Sequence, residues 1–214
     1  MTDSYYKSRY KWDENRIVVW KEIVRYLETF IPEDSTVLDI GAGYCDFINN
    51  VKAKNKIALD KSVDFKQFVF SGIRTVQSEV TDMSAIENNS VDVLSASNLL
   101  EHLDDDELLK TIGEIRRILK SDGKLILMQP NYRLSYKTYF DDPTHKKIFS
   151  DVSLRVFLES HGFEIVLSKP RFLPFSMNSR PSVIPIFSLL IRAYIYSPLK
   201  PFAGQMLFVA KKIG

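Results

Sequence analysis

Gly41 and Gly43 follow directly on a short apolar run in TVLDIGAGYCDFI, residues 36 to 48. Glycine at such places lets the backbone turn sharply and approach a ligand more closely than a side chain would allow. A dinucleotide loop, GxGxxG, has its third glycine where this chain carries Asp46. A carboxylate where a pyrophosphate should rest on a helix N-terminus argues against NAD or FAD. For proton transfer the candidates are His102, His145 and His161. His145 lies in the polar loop FDDPTHKKIFS, with Asp141, Asp142, Lys146 and Lys147. It is either a general base or part of a solvent-exposed turn set by Pro143. His102, in NLLEHL, is a second candidate base, with bracing of its loop as the alternative. His161, beside Gly162, reads as structural, because a histidine at a helix end meets the last carbonyls and the dipole. Cys45 has no paired histidine motif and reads as a small packed side chain, not a nucleophile. No metal-ligand cluster is apparent, so metal-free chemistry is the default expectation.

The elements that must position these residues alternate. Residues 13 to 30 place Ile17, Trp20, Val24 and Leu27 on one face of a helix that Pro32 ends. Apolar runs follow at 37 to 40, 56 to 60, 73 to 77, 91 to 96 and 124 to 129, short and continuous enough for strands covered on both faces. A helix opens at Asp104 to Asp106 and keeps Leu108, Ile112, Ile115 and Leu119 on one face. It ends in Arg116, Arg117 and Lys120, with Gly123 just beyond as its expected left-handed cap. Another helix fits residues 151 to 161, and strands follow at 163 to 168 and 205 to 210. This alternation predicts an α/β, doubly wound, seven-stranded Rossmann-like sheet with helices on both faces. Strands 1 to 6 are expected to be parallel and strand 7 antiparallel at the edge. Right-handed crossovers then bring the loops after strands one, two and four to one side of the sheet.

The bulk numbers narrow the function classes. With 214 residues, 45% hydrophobic and 26% charged, the chain fits one domain with a real core. The expected division is an N-terminal helix and lid over 1–32, a cofactor-binding core over 33–130, acceptor-side loops and helices over 131–204, and a last strand at 205–211. A net charge of +2 gives no long-range pull towards nucleic acid. One cysteine excludes a disulfide framework, and the polar start lacks a secretory core, so the cytoplasm is the expected compartment. The apolar stretch from Pro181, broken by Pro185, Arg192 and Pro198, is too interrupted to span a bilayer and is a candidate for peripheral membrane contact.

Taken in order, five segments resemble class I S-adenosylmethionine-dependent methyltransferases of the small-molecule, type-11-like branch. DIGAGYC resembles motif I, D/ExGxGxG, with Cys45 at the third glycine. LDKS resembles the acidic end of strand two, SEVTDMSAI the loop after strand three, and SASNLLEHL the strand-four loop. RRILKSDGKLILMQPN resembles the helix and strand five. The resemblance covers residues 30 to 169 and implies S-adenosylmethionine as cofactor, released as S-adenosylhomocysteine. It implies that Asp39, beside Gly41 and Gly43, meets the methionine ammonium directly or through water. Asp60 would accept both ribose hydroxyls, Asp82 and the Met83 backbone would address the adenine edge, and Asn98 would line the methyl region. His145 and His102 are then the catalytic candidates.

The stretch RFLPFSMNSRPS interleaves Arg171 and Arg180 with Phe172, Phe175 and Met177, suited to anionic groups and sugar faces, or else to core packing. It resembles methyltransferases of bacterial surface-polysaccharide and related glycan biosynthesis. Tyr5, Tyr6, Tyr10 and Trp12 read as a lid or as a tail. The expected activity is O-methylation of a small molecule or glycan precursor by a monomer or homodimer. The alternatives are methylation of a quinone or other apolar ring, a nucleotide-sugar oxidoreductase disfavoured by Asp46, and a non-catalytic binding module.

Overall fold

A computed structural model describes residues 14–174 and 184–214. The seven strands are β1 Thr36–Ile40, β2 Asn55–Asp60, β3 Arg74–Gln77, β4 Val91–Ser97, β5 Leu119–Pro130, β6 Phe163–Pro174 and β7 Ala203–Lys212. They form one sheet in the order β3-β2-β1-β4-β5-β7-β6. β1 to β5 pair in parallel. β7 runs antiparallel to both β5 and β6, so β6 points the same way as the first five strands. Six parallel strands and an antiparallel seventh match the expectation, but the edge is corrected: β7 is interior and β6 is the edge strand. The reason is visible in composition. β7 is buried from Ala203 to Ala210, whereas β6 carries exposed Glu164, Lys169 and Arg171, as an edge strand does.

Alternate residues of each central strand feed different faces. Leu38 and Ile40 of β1, Leu125 and Leu127 of β5, and Phe208 of β7 join one core. Val37, Ile126, Met128, Leu207 and Val209 join the other. This is why those runs read as continuously apolar. The first core is closed by α3, Asp105–Ile118, and α5, Asp151–Ser160. The second is closed by α1, Glu14–Leu27, the short α2, Asp46–Asn50, and α6, Ile184–Tyr196. A one-turn helix, α4, Tyr132–Ser135, follows β5. α6 docks on α1 through Glu22, which is 1% exposed. Arg192 donates to Glu22 through Nε at 2.8 Å and Nη2 at 3.0 Å, Ser188 through Oγ at 2.7 Å, and Arg25 through Nη1 at 3.0 Å. Among the described residues no helix is long and apolar enough to cross a membrane.

The N-terminus of α3 is as expected: Asp104 and Glu107 form a reciprocal capping box. Its C-terminus is not. The helix stops at Ile118 and passes into β5 at Leu119, which pairs with Val91. The left-handed residue is Asp122, φ 64°, not Gly123. Gly123 is required for a different reason, because a Cβ there would stand 2.8 Å from the Lys120 carbonyl oxygen.

Candidate active site

The order β2-β1-β4 reverses direction at β1, so the loops leaving β1, β2, β4 and β5 open on a shared carboxyl edge, where α/β sheets bind ligands. Gly41 and Gly43 hold φ of +62° and +51°, the region that favours glycine. Gly41 is also confined by Leu99 from the β4 loop, since a Cβ would meet Leu99 Cδ1 at 3.0 Å. At Gly43 a Cβ would meet nothing nearer than the Gly41 carbonyl oxygen, 3.9 Å away, so the loop presents open backbone. The loop is pinned from β2: Ala42 N–H donates to Leu59 O at 3.1 Å and Gly43 N–H to Asp60 Oδ2 at 2.9 Å. Asp60 Oδ1 accepts from Ser62 N–H at 2.9 Å. Each Asp60 oxygen thus holds one backbone N–H and keeps accepting capacity for a diol.

Asp39 is 4% exposed and accepts from Ser95 Oγ, its cross-strand neighbour, at 2.5 Å. Burial, with Asp60 and Asp46 nearby, raises its carboxyl to about 7 despite that hydrogen bond. A cation beside Asp39 would restore its charge. Asp46 begins α2 and is neutralised by Arg16 of α1, whose Nε and Nη2 stand 2.9 Å and 2.8 Å from Oδ2. A carboxylate and its own guanidinium therefore fill the place a pyrophosphate would need. Cys45 is fully buried in left-handed backbone with its thiol pushed up by burial, so it packs and does not attack. Open backbone at Gly43, anchored Asp60 and buried Asp39 fit an amino acid joined to a ribose.

The adenine-edge expectation is corrected at Met83. Its N–H donates to Glu114 Oε2 at 2.7 Å and its carbonyl accepts from Arg117 Nη2 at 2.9 Å, while its side chain lies in the core. Both backbone groups are taken up by α3. Asp82 is exposed, with Oδ1 accepting from Ser84 N–H. Asn98 is exposed in left-handed backbone, φ 50°, at the end of β4, where Gln205 Nε2 of β7 donates to its Oδ1 at 3.0 Å.

The loops after β4 and β5 are stitched together, since the Lys146 and Lys147 amides both donate to the Glu101 carbonyl, at 2.8 Å and 3.0 Å. Lys146 and Lys147 also reach Glu107 and Asp105 at the start of α3. This brings His102 and His145 together with ring centres 5.0 Å apart. The His145 side chain is 4% exposed, which removes the exposed-turn alternative. Its Nδ1 lies 2.6 Å from the Tyr139 carbonyl and must donate to it, leaving the lone pair of the neutral ring on Nε2. His102 Nδ1 meets Thr144 Oγ1 at 2.9 Å, and that hydroxyl donates to Asp142 Oδ1 at 2.5 Å.

Beside them stands Glu101, 1% exposed, its carboxyl pushed up to about 8 by burial and the nearby Asp142. Glu101 and Tyr139 were not singled out by sequence; the Glu-His pair in NLLEHL was the available signal. The absence of a ligand cluster is also corrected, because Glu101, His102 and His145 converge from two loops that only the β4–β5 pairing makes adjacent. His161 is structural as read, its Nδ1 2.7 Å from the Phe157 carbonyl at the end of α5. Of the two readings of Phe172 the structure takes core packing, with the ring 1% exposed against Tyr26. Arg171 is exposed on β6. Tyr5, Tyr6, Tyr10, Trp12, Phe175, Met177 and Arg180 lie outside the described residues. A cavity of about 380 Å³ opens at the opposite edge of the sheet, around Thr36, Asn55 and Arg74, away from all these groups.

Comparison with known proteins points to one family. A family model described as a methyltransferase domain matches residues 12–168. An uncharacterized protein of Methanocaldococcus jannaschii is 33% identical over 199 residues, covering 92% of this chain and 83% of its own length. Phosphoethanolamine N-methyltransferase 1 of Triticum aestivum is 30% identical over 140 residues, covering 60% of this chain and 28% of that protein. In fold, the chain is similar to a SAM-dependent methyltransferase from Archaeoglobus fulgidus, with TM-score 0.70, 23% identity and coverage of 98% and 100%. The chain belongs to the methyltransferase-domain family.

Proposed function

We propose that this enzyme methylates an oxygen of a small molecule or glycan precursor, and that His145 takes the proton from that oxygen. The observation that carries this reading is the buried His145 ring, held by Tyr139 with its lone pair on Nε2, beside the carboxyl end of β4. A hydroxyl is a poor nucleophile until its proton is drawn off, and a positioned imidazole contributes roughly 10²–10⁴ in rate. Bound S-adenosylmethionine would supply the methyl group, passed from its sulfonium sulfur, which keeps the bonding electron pair, to the acceptor oxygen, with S-adenosylhomocysteine as the product. Asp39 holds the ammonium, Asp60 the ribose hydroxyls, the Gly41–Gly43 backbone the carboxylate end, and Asp82 the adenine amino group. Asn98 and His102 line the acceptor side, with His102 orienting the loop that carries His145 through Thr144.

The test is a turnover screen with labelled cofactor over nucleotide sugars, lipid-linked sugars, phenolics and amines. Label on oxygen of one class is expected, and His145→Ala should lower kcat by roughly 10²–10⁴ while S-adenosylhomocysteine affinity is retained. Intact turnover in His145→Ala would sink the role given to that residue. A nitrogen acceptor is the second reading, favoured by the name of the wheat relative. Label confined to amines would select it.

A further inference from the structure

We propose that Glu101, His102 and His145 form a binding site for one divalent transition-metal cation. One donor atom from each residue lies within 4.8 Å of the other two. Donors sharing an ion at about 2.1 Å stand roughly 3–3.5 Å apart, so closing the site needs shifts of about 1 Å, within reach of side-chain rotation. Three further observations point to a cation. The Glu101 carboxylate is 1% exposed, and among the described residues no other residue donates a hydrogen bond to either of its oxygens. A buried carboxylate left so is costly unless something positive meets it. Next, each ring is anchored through Nδ1, His145 on the Tyr139 carbonyl and His102 on the Thr144 carbonyl and hydroxyl. Metal-binding histidines are oriented in this way, their other nitrogen donating to a carbonyl, carboxylate or similar acceptor. Finally, Asp142, 3% exposed, brings a second buried carboxyl to within 3.7 Å of His145 Nε2, adding negative charge beside the three donors.

Two imidazoles and a carboxylate select Zn²⁺, Mn²⁺, Fe²⁺ or Co²⁺ over Mg²⁺ or Ca²⁺, which prefer all-oxygen sets. Three protein donors leave a coordination position for another ligand. A cation on His145 Nε2 occupies the lone pair that proton transfer would use, so activation of the acceptor hydroxyl then falls to the cation in place of His145; that role rests on the oxygen-acceptor reading, and the cation's binding does not.

The experiment titrates chelator-treated protein with Co²⁺, followed by visible absorption, and with Zn²⁺ and Mn²⁺ by calorimetry. The expected result is saturable one-to-one binding, weakened roughly 100-fold in Glu101→Gln and in His102→Gln, with S-adenosylhomocysteine binding retained as proof of folding. No saturable binding of any of the three ions, or binding unchanged in both variants, would overturn the site. Full turnover of the chelated enzyme without a cobalt spectrum overturns the site and leaves His145 as proton acceptor. Intact one-to-one binding without O-methylated product supports the site and overturns the acceptor reading.

Discussion

Asp39 carries the clearest pH signature among the residues proposed to hold the cofactor. Its carboxyl is raised to about 7 against an ordinary value near 3.9, so the fold favours the protonated form. Asp39 therefore stabilises the fold most at low pH, and that contribution is lost as pH rises through about 7. An ammonium against Asp39 reverses the preference. Cofactor affinity should thus rise by up to tenfold per unit as pH increases towards 7, then level off. Asp39→Asn should flatten that profile and raise Tm at pH 8, checked by calorimetry and thermal melts. Asp60 and Asp46 are the nearest other acids, and Asp46 is already paired with Arg16. At this scale the turn made by Gly41 and Gly43 was legible, because two glycines after an apolar run announce themselves in one stretch of chain. The Glu101–His145 meeting was not, because it is made by strands that pair in space. Met83 misled because its amide has a competing partner, Glu114, that only the docking of α3 supplies.

The coupling of α1 to α6 is an ionic node built on one residue. Glu22→Ala removes the buried acceptor of Arg25, Arg192 and Ser188. The arginine side chains are 37% and 43% exposed and can turn to water, so the cost is about 1–2 kcal/mol rather than that of stranding a buried charge. For a chain of this length that lowers Tm by about 3–8 °C, measurable by calorimetry, with little change in cofactor affinity. α1, α3 and α5 were readable from their periodicity and caps. The end of α3 was misplaced because SDG is a strong stop signal. In the fold, the chain had already turned extended at Leu119 to pair with Val91.

The molecule as a whole is a sheet whose two halves are wound differently. From β3 to β5 every neighbour is parallel, but beyond β5 the sheet is completed by the antiparallel pair β7 and β6. Strand number and the parallel run from β1 to β5 followed from alternation and right-handed crossovers. The interior place of β7 did not, because two late apolar strands look alike until the charges on one are weighed. A chain ending at residue 202 should lose protection of the β6 amides as well, seen by hydrogen exchange. Among the described residues β6 is hydrogen-bonded into the sheet through β7 alone.

That placement sets a timetable for the newborn chain. β6 emerges from the ribosome with no strand to pair with, and the apolar flank of β5 stays bare until residues 203 to 212 have been made. At about 5–20 residues per second this leaves roughly 4–16 seconds in which β5 is open to chaperones or to another nascent chain.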